Sequence, residues 1–186
     1  FNHSPGYRAV AVRAQQPIRG IVVVRADSPL TSLEELSGET LAFPSPAAFA
    51  ASVLPRAKLS SEAVDFTPKY VSSHDSVYLG VAKGLFAAGG GVKRTFNKVN
   101  PEIQKQLKVL WTSAAYTPHA IAAHPDISQE MQLKLQQALV EMYQDPQGKA
   151  LLESLKIKKG LSAADDSDWD DVRSLGVGLL NQLIKQ

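Results

Sequence analysis

Seven residues, Ile18-Arg19-Gly20-Ile21-Val22-Val23-Val24, constrain this chain more than any others. From Ile21 onward they are β-branched with no polar interruption, the pattern of a strand covered on both faces. Such a strand needs helices on either side, which directs the chain to a layered α/β architecture with mostly parallel sheets. Upstream, Tyr7 to Arg13 is apolar and small, and Pro17 interrupts whatever element it forms. Downstream, Thr31 or Ser32 can cap a short helix through Leu36, with Glu34 and Glu35 at its positive end. Glu39 to Phe43 reads as a second strand. Ser45-Pro46 offers a capping hydroxyl and then Pro at the first helical position, for a helix over Ala47 to Val53 that Pro55 disturbs. Val64 to Val71 is a third strand, at an edge or bent because of Pro68.

Ser72-Ser73-His74-Asp75 marks a strand-to-helix corner, and the helix runs on to Gly84. Leu85 to Ala88 is a short strand, with Gly89-Gly90-Gly91 as a flexible or closely packed turn behind it. A helical turn follows at Pro101 to Lys105, then strands at Leu107 to Trp111 and Ala120 to Ala123. Met131, Leu135, Ala138, Leu139 and Met142 share one face of the clearest helix and read as core. Trp169, Val172, Gly176, Leu179 and Leu183 repeat that spacing in a last helix finished by Lys185.

Charge and composition remove several functions. Twenty basic against eighteen acidic residues leave a net +2, too balanced for nucleic acid or an anionic membrane surface as a general partner. The absence of cysteine excludes disulfides and thiolate metal sites, and it is compatible with an oxidising compartment. No apolar run approaches the ~18 residues that span a bilayer. His119 and His124 are five apart, on opposite faces of a strand, so they share no metal. Ser76 beside His74 and Asp75 on one corner makes no nucleophile–base–orienter chain, and no carboxylates are paired. Gly89-Gly90-Gly91 with Lys93-Arg94 lacks the Gly-Lys-Ser/Thr ending of a phosphate loop. No catalytic residue, metal or cofactor is expected.

Several stretches, in their order and spacing, resemble the phosphate/phosphite/phosphonate-binding family of periplasmic ABC-transporter solute-binding proteins. They are Val24-Arg25-Ala26-Asp27-Ser28-Pro29-Leu30, Ser32 to Phe43, Leu54-Pro55-Arg56, Ser73-His74-Asp75-Ser76-Val77 and Val81-Ala82-Lys83-Gly84. The resemblance runs from about Tyr7 to the C-terminus. It implies a type 2 periplasmic-binding-protein-like fold, two lobes of sheet flanked by helices with ligand between them. Residues 19–106 would form one lobe, and 1–14 with 109–186 part of the other. The hinge would be crossed near 15–18 and 107–109. The first lobe would be incomplete, so the chain is expected to be a piece of a longer protein.

Family members hold an oxyanion with a Ser-Thr-Ser run at a helix start, where hydroxyls and backbone N–H groups converge. The matching positions here are Ala48, Phe49 and Ala50, which keep the backbone donors and have no hydroxyl. Ser45, as the expected N-cap, stands beside them. Tyr7 matches a tyrosine facing the ligand, and His74 a histidine that reaches the anion. Acidic groups that take an aminated ligand are replaced by Arg94 and His119, which disfavours an ammonium-bearing ligand. The resemblance therefore implies a solute-binding component that works with a membrane transporter permease, in a periplasmic or otherwise extracytoplasmic location. It takes an oxyanion or a small, less charged solute, and does no catalysis. An extracytoplasmic sensor domain, an enzyme like the pyrimidine synthases that share the fold, and a chain with a degenerate cleft are the alternatives.

Overall fold

The computed structural model describes residues 6–175. Its strands are β1 (Arg8–Arg13), β2 (Gly20–Arg25), β3 (Glu39–Phe43), β4 (Phe66–Tyr70), β5 (Ala88–Val92), β6 (Leu107–Thr112), β7 (Ile121–Ala123) and β8 (Leu161–Ala163). Its helices are α1 (Leu54–Ser61), α2 (His74–Ala82), α3 (Lys93–Phe96), α4 (Pro101–Gln104), α5 (Gln129–Glu141), α6 (Pro146–Ser154) and α7 (Asp170–Arg173). A 3-10 turn, Glu34–Leu36, precedes β3, and a wide π-helical turn, Phe49–Val53, leads into α1. Two units share the chain: residues 18–115, and residues 6–17 with 116–174.

The first unit is built on a five-stranded sheet of order β4-β3-β5-β2-β6. Its central residues alternate as the sequence requires. Ile21, Val23 and Ala42 meet Val77, Tyr78 and Val81 of α2 on one face. Val22, Val24, Leu41 and Phe43 meet Leu36 and Leu59 on the other. Each of the four β2 side chains from Ile21 to Val24 is fully buried, which contributes roughly 1.5–3 kcal/mol apiece before entropy is counted. Pro68 sits in β4, the edge strand, where its missing N–H costs no ladder bond.

Three expectations change. The sheets are mixed, not mostly parallel: β3 pairs in parallel with β4 and β5, but β2 runs antiparallel to β5 and β6. The cause is topological. The chain enters along β2 and leaves along β6, and Gly20 N donates to Ser113 Oγ at 2.9 Å, so entry and exit lie together and the two strands run in opposite directions. The return to the other unit comes after β6 and not near 107–109, because β6 is paired with β2 from Leu107 to Thr112. Gly89-Gly90-Gly91 is no turn; it is the middle of β5. A Cβ on Gly89 would meet Val81 of α2, one on Gly90 would run into Ala51 O and the Phe43 ring, and one on Gly91 would meet Tyr78. Helical segments press on both faces of this strand, and only glycine leaves them room.

The second unit holds a three-stranded antiparallel sheet, β7-β1-β8, with α5 packed on β1 and β8. Its buried clusters are Ala9, Ala164 and Trp169, and Leu152, Ile157 and Leu161. The expected core face of α5 is displaced by one residue. Met131, Leu135 and Ala138 are exposed; the half-buried positions are Gln132, Gln136, Leu139 and Val140, followed just after the helix by Met142 and Tyr143. Gln136 draws this face inward by donating from Nε2 to Val10 O at 2.8 Å and Ala164 O at 3.1 Å. Leu139 and Met142 do pack, on the Leu152 cluster. Of the last expected helix, buried Trp169 and α7 with Val172 are described; Gly176, Leu179, Leu183 and Lys185 lie outside the described residues. No helix among the described residues is long and apolar enough to cross a membrane.

Candidate functional site

Strands β4, β3 and β5 run in one direction, so Tyr70, Phe43 and Val92 end at the same edge of the sheet. The segment after β3 crosses to β4 over the face of Leu59, and the segment after β4 crosses to β5 over the face of Val77. Crossovers that leave to opposite faces open a crevice at the carboxyl ends of the strands, where α/β proteins bind ligands. Ser45 and Ala48–Ala50 follow β3, His74 follows β4 and Arg94 follows β5. These sequence-predicted residues therefore come together at one sheet edge.

The segment after β3 departs from expectation. Ser45 is exposed and caps no helix; its carbonyl accepts from Ala48 N at 3.3 Å. Helix begins at Phe49, with extended Ala48 as its N-cap. Ala48 O accepts from both Ser52 N (2.7 Å) and Val53 N (3.1 Å), which makes the first turn wide. Pro55 explains this width. It offers no N–H to Ala50 or Ala51, and its ring needs space against the preceding turn. The carbonyls so released lie against Gly20 and Gly90 of the sheet. Pro55 thus widens the turn before it, as a disturbance of that helix, and stands in the first turn of α1. The N–H groups of Phe49, Ala50 and Ala51 stand ahead of the first ladder bond, from Ser52 N to Ala48 O, at the helix start.

His74 is the first residue of α2, whose N-cap Ser73 accepts from Ser76 N at 3.0 Å. Ser72, just before the cap, has φ 69°, a left-handed conformation that stores strain in a residue bearing Cβ. The His74 ring is half-buried and stacks on Tyr78, with centroids 6.5 Å apart and planes at 28°. Burial pushes the imidazole pKa below its usual value, against a smaller opposite pull from Asp75. His74 is thereby held neutral near pH 7. Its Nδ1 is buried without a hydrogen-bond partner among the described residues, as are Ser52 Oγ and Tyr70 OH on the segments at the ends of β3 and β4. Orphaned polar atoms are rare in protein interiors and concentrate at functional sites.

Arg94 is exposed in the first turn of α3 and makes no ion pair among the described residues. Lys93 precedes it, its N–H bonded to Arg19 O at 3.1 Å. Two sequence-predicted residues belong to the other unit. Tyr7 is 44% exposed and meets the edge of His124 at 5.1 Å; His119 is exposed ahead of β7. Sequence reasoning passed over Ser72, Tyr78 and Thr95. Only the Ser-Ser before His74 hinted at the first, and the hydroxyl contacts of the other two depend on long-range packing. No group of three metal-ligating side chains occurs among the described residues.

Comparison with known proteins identifies the family and the fold. The family model for periplasmic substrate-binding proteins of phosphonate ABC transporters matches residues 1–169. The fold is similar to XAC2383 from Xanthomonas citri bound to ATP, with a TM-score of 0.83 and 17% identity over 97% of this chain and 73% of that one. It is also similar to PhnD1 from Prochlorococcus marinus in complex with methylphosphonate, at a TM-score of 0.76 and 20% identity over 94% and 72%. A binding protein component of an ABC phosphonate transporter from Pseudomonas aeruginosa gives 0.70 and 20% over 93% and 62%. These structures share the type 2 periplasmic-binding-protein fold, and the chain spans 62–73% of their length. With the family model covering nearly its whole length, the chain belongs to the periplasmic substrate-binding proteins of phosphonate ABC transporters.

Proposed function

We propose that the strand-end crevice of the five-stranded unit binds a small oxyanion of the phosphonate or phosphate class. What supports this reading is the placement of the Phe49–Ala51 helix start, His74 and Arg94 on the segments that follow β3, β4 and β5 at one end of the sheet. The helix start supplies oriented donors and positive potential, Arg94 an exposed charge, and His74 a neutral ring. No side-chain hydroxyl backs the loop at Ala48–Ala50, so each lost charged hydrogen bond weakens the anion by roughly 1.5–3 kcal/mol relative to a Ser-Thr-Ser loop. Tyr7 and His119 lie on the other unit, and the proposal uses neither.

The chain acts by binding and release, without turnover: Ser73 Oγ is bonded to Ser76 Oγ at 2.8 Å, and among the described residues no base is bonded to either hydroxyl. Delivery to a membrane permease from outside the cytoplasm is the corresponding physiological role. One feature favours a second reading. Ala48-Phe49-Ala50 beside a neutral His74 suits an uncharged solute. Thermal melting against phosphate, phosphite, methylphosphonate and uncharged metabolites separates the two. A ligand at a hundred times its Kd adds about 2.7 kcal/mol, a rise of a few degrees. A shift with the anions alone is expected, and a shift with uncharged compounds alone overturns the oxyanion reading.

A further inference from the structure

Tyr78 is fully buried in α2, one helical turn after His74, and its two ends serve different parts of the crevice. Its ring stacks on His74 and meets Phe96 of α3 edge-on, with centroids 5.5 Å apart. Its hydroxyl reaches the β5–α3 corner. There it lies 2.8 Å from Thr95 Oγ1, accepts from Val92 N at 3.3 Å and stands 3.4 Å from Val92 O. Either Thr95 Oγ1 donates to Val92 O at 2.9 Å and Tyr78 to Thr95, or Thr95 donates to Tyr78 and Tyr78 to Val92 O; both arrangements close the bonds into a ring. Lys93 and Arg94 lie between Val92 and Thr95, inside the span this ring fixes. Burial raises the phenol pKa, which keeps the proton that the ring requires. Gly91 completes the arrangement, since a Cβ there would meet Tyr78 Cζ at 2.9 Å and the hydroxyl closer still.

We propose that Tyr78 is a positioning residue of the ligand site, holding the His74 ring and the Arg94 corner in one fixed relation through its ring face and its hydroxyl. This deepens the oxyanion reading and rests on it for the roles of His74 and Arg94. A tyrosine that touches no ligand then sets the distance between the neutral and the cationic group of the crevice.

Tyr78→Phe in the full chain keeps the ring and removes the hydroxyl; Thr95→Val removes the partner and leaves Tyr78 in place. Calorimetric titration with methylphosphonate and with inorganic phosphate is run on both variants, alone and combined with Arg94→Ala, and NMR is recorded without ligand. Tyr78→Phe is expected to weaken binding about fivefold to tenfold. Arg94→Ala is expected to lose most of its effect in that background, and the ligand-free His74 ring and Lys93–Thr95 amide signals to move. A Tyr78→Phe chain that melts lower yet binds like wild type, with those signals unmoved, makes Tyr78 a core residue and overturns the proposal. If wild type takes up neither anion, the oxyanion reading fails; the ligand-free signals then decide alone, unmoved signals overturning the positioning role and moved ones upholding it.

Discussion

His74 and the β5 glycines show how single residues set this crevice. The folded chain holds His74 neutral by burial, whereas the unfolded chain titrates it at about 6.5. As pH falls through that value the unfolded state takes up a proton that the folded state refuses, so stability drops. Urea unfolding at about pH 7.5 and pH 5.5 is expected to show this loss in wild type and a smaller one in His74→Gln; equal losses would remove His74 as the cause. Gly90 makes a stronger demand. A methyl group there would strike a backbone carbonyl and the Phe43 ring, so Gly90→Ala should destabilise by about 3 kcal/mol or more, read as a fall in the urea midpoint. In the sequence the three glycines suggested a turn. Nothing local says that helical segments press on both faces, so their strand role was hidden.

At the scale of elements, the local patterns located most strands and helices but missed how two of them sit. Val22 to Val24, Glu39 to Phe43 and the edge strand with Pro68 were legible because alternation and proline rules act locally. The turn before α1 was not. Ser45-Pro46 carries a capping signature, yet the helix starts at Phe49 because Pro55 releases carbonyls that find the sheet glycines. The register of α5 failed for a related reason. Two bonds from Gln136 to strand backbone outweigh the apolar stripe that holds Met131 and Leu135. Gln136→Ala leaves Val10 O and Ala164 O without those bonds and should cost roughly 1–3 kcal/mol, whereas Met131→Gln should stay within about 0.5 kcal/mol. Thermal or urea denaturation of the 186-residue chain checks both, and the reverse order would restore the stripe as core.

For the whole molecule, family and α/β class were readable from short phrases such as Ser73-His74-Asp75-Ser76-Val77, because a strand-to-helix corner needs a capping hydroxyl ahead of its helix and Ser73 supplies it. Strand direction was not, since it depends on where the chain enters and leaves the five-stranded unit. Part of the candidate site was visible as residue types; its backbone donors were expected through the resemblance at Ala48–Ala50, and the helix start lies one residue later because Ala48 N is bonded to Ser45 O. Those amides give the most direct test. In a titration of the 15N-labelled chain with methylphosphonate, the largest shifts are expected at the Phe49, Ala50 and Ala51 amides and at Arg94. Shifts centred on other segments, or saturation without any at these amides, would contradict an oxyanion held at this helix start.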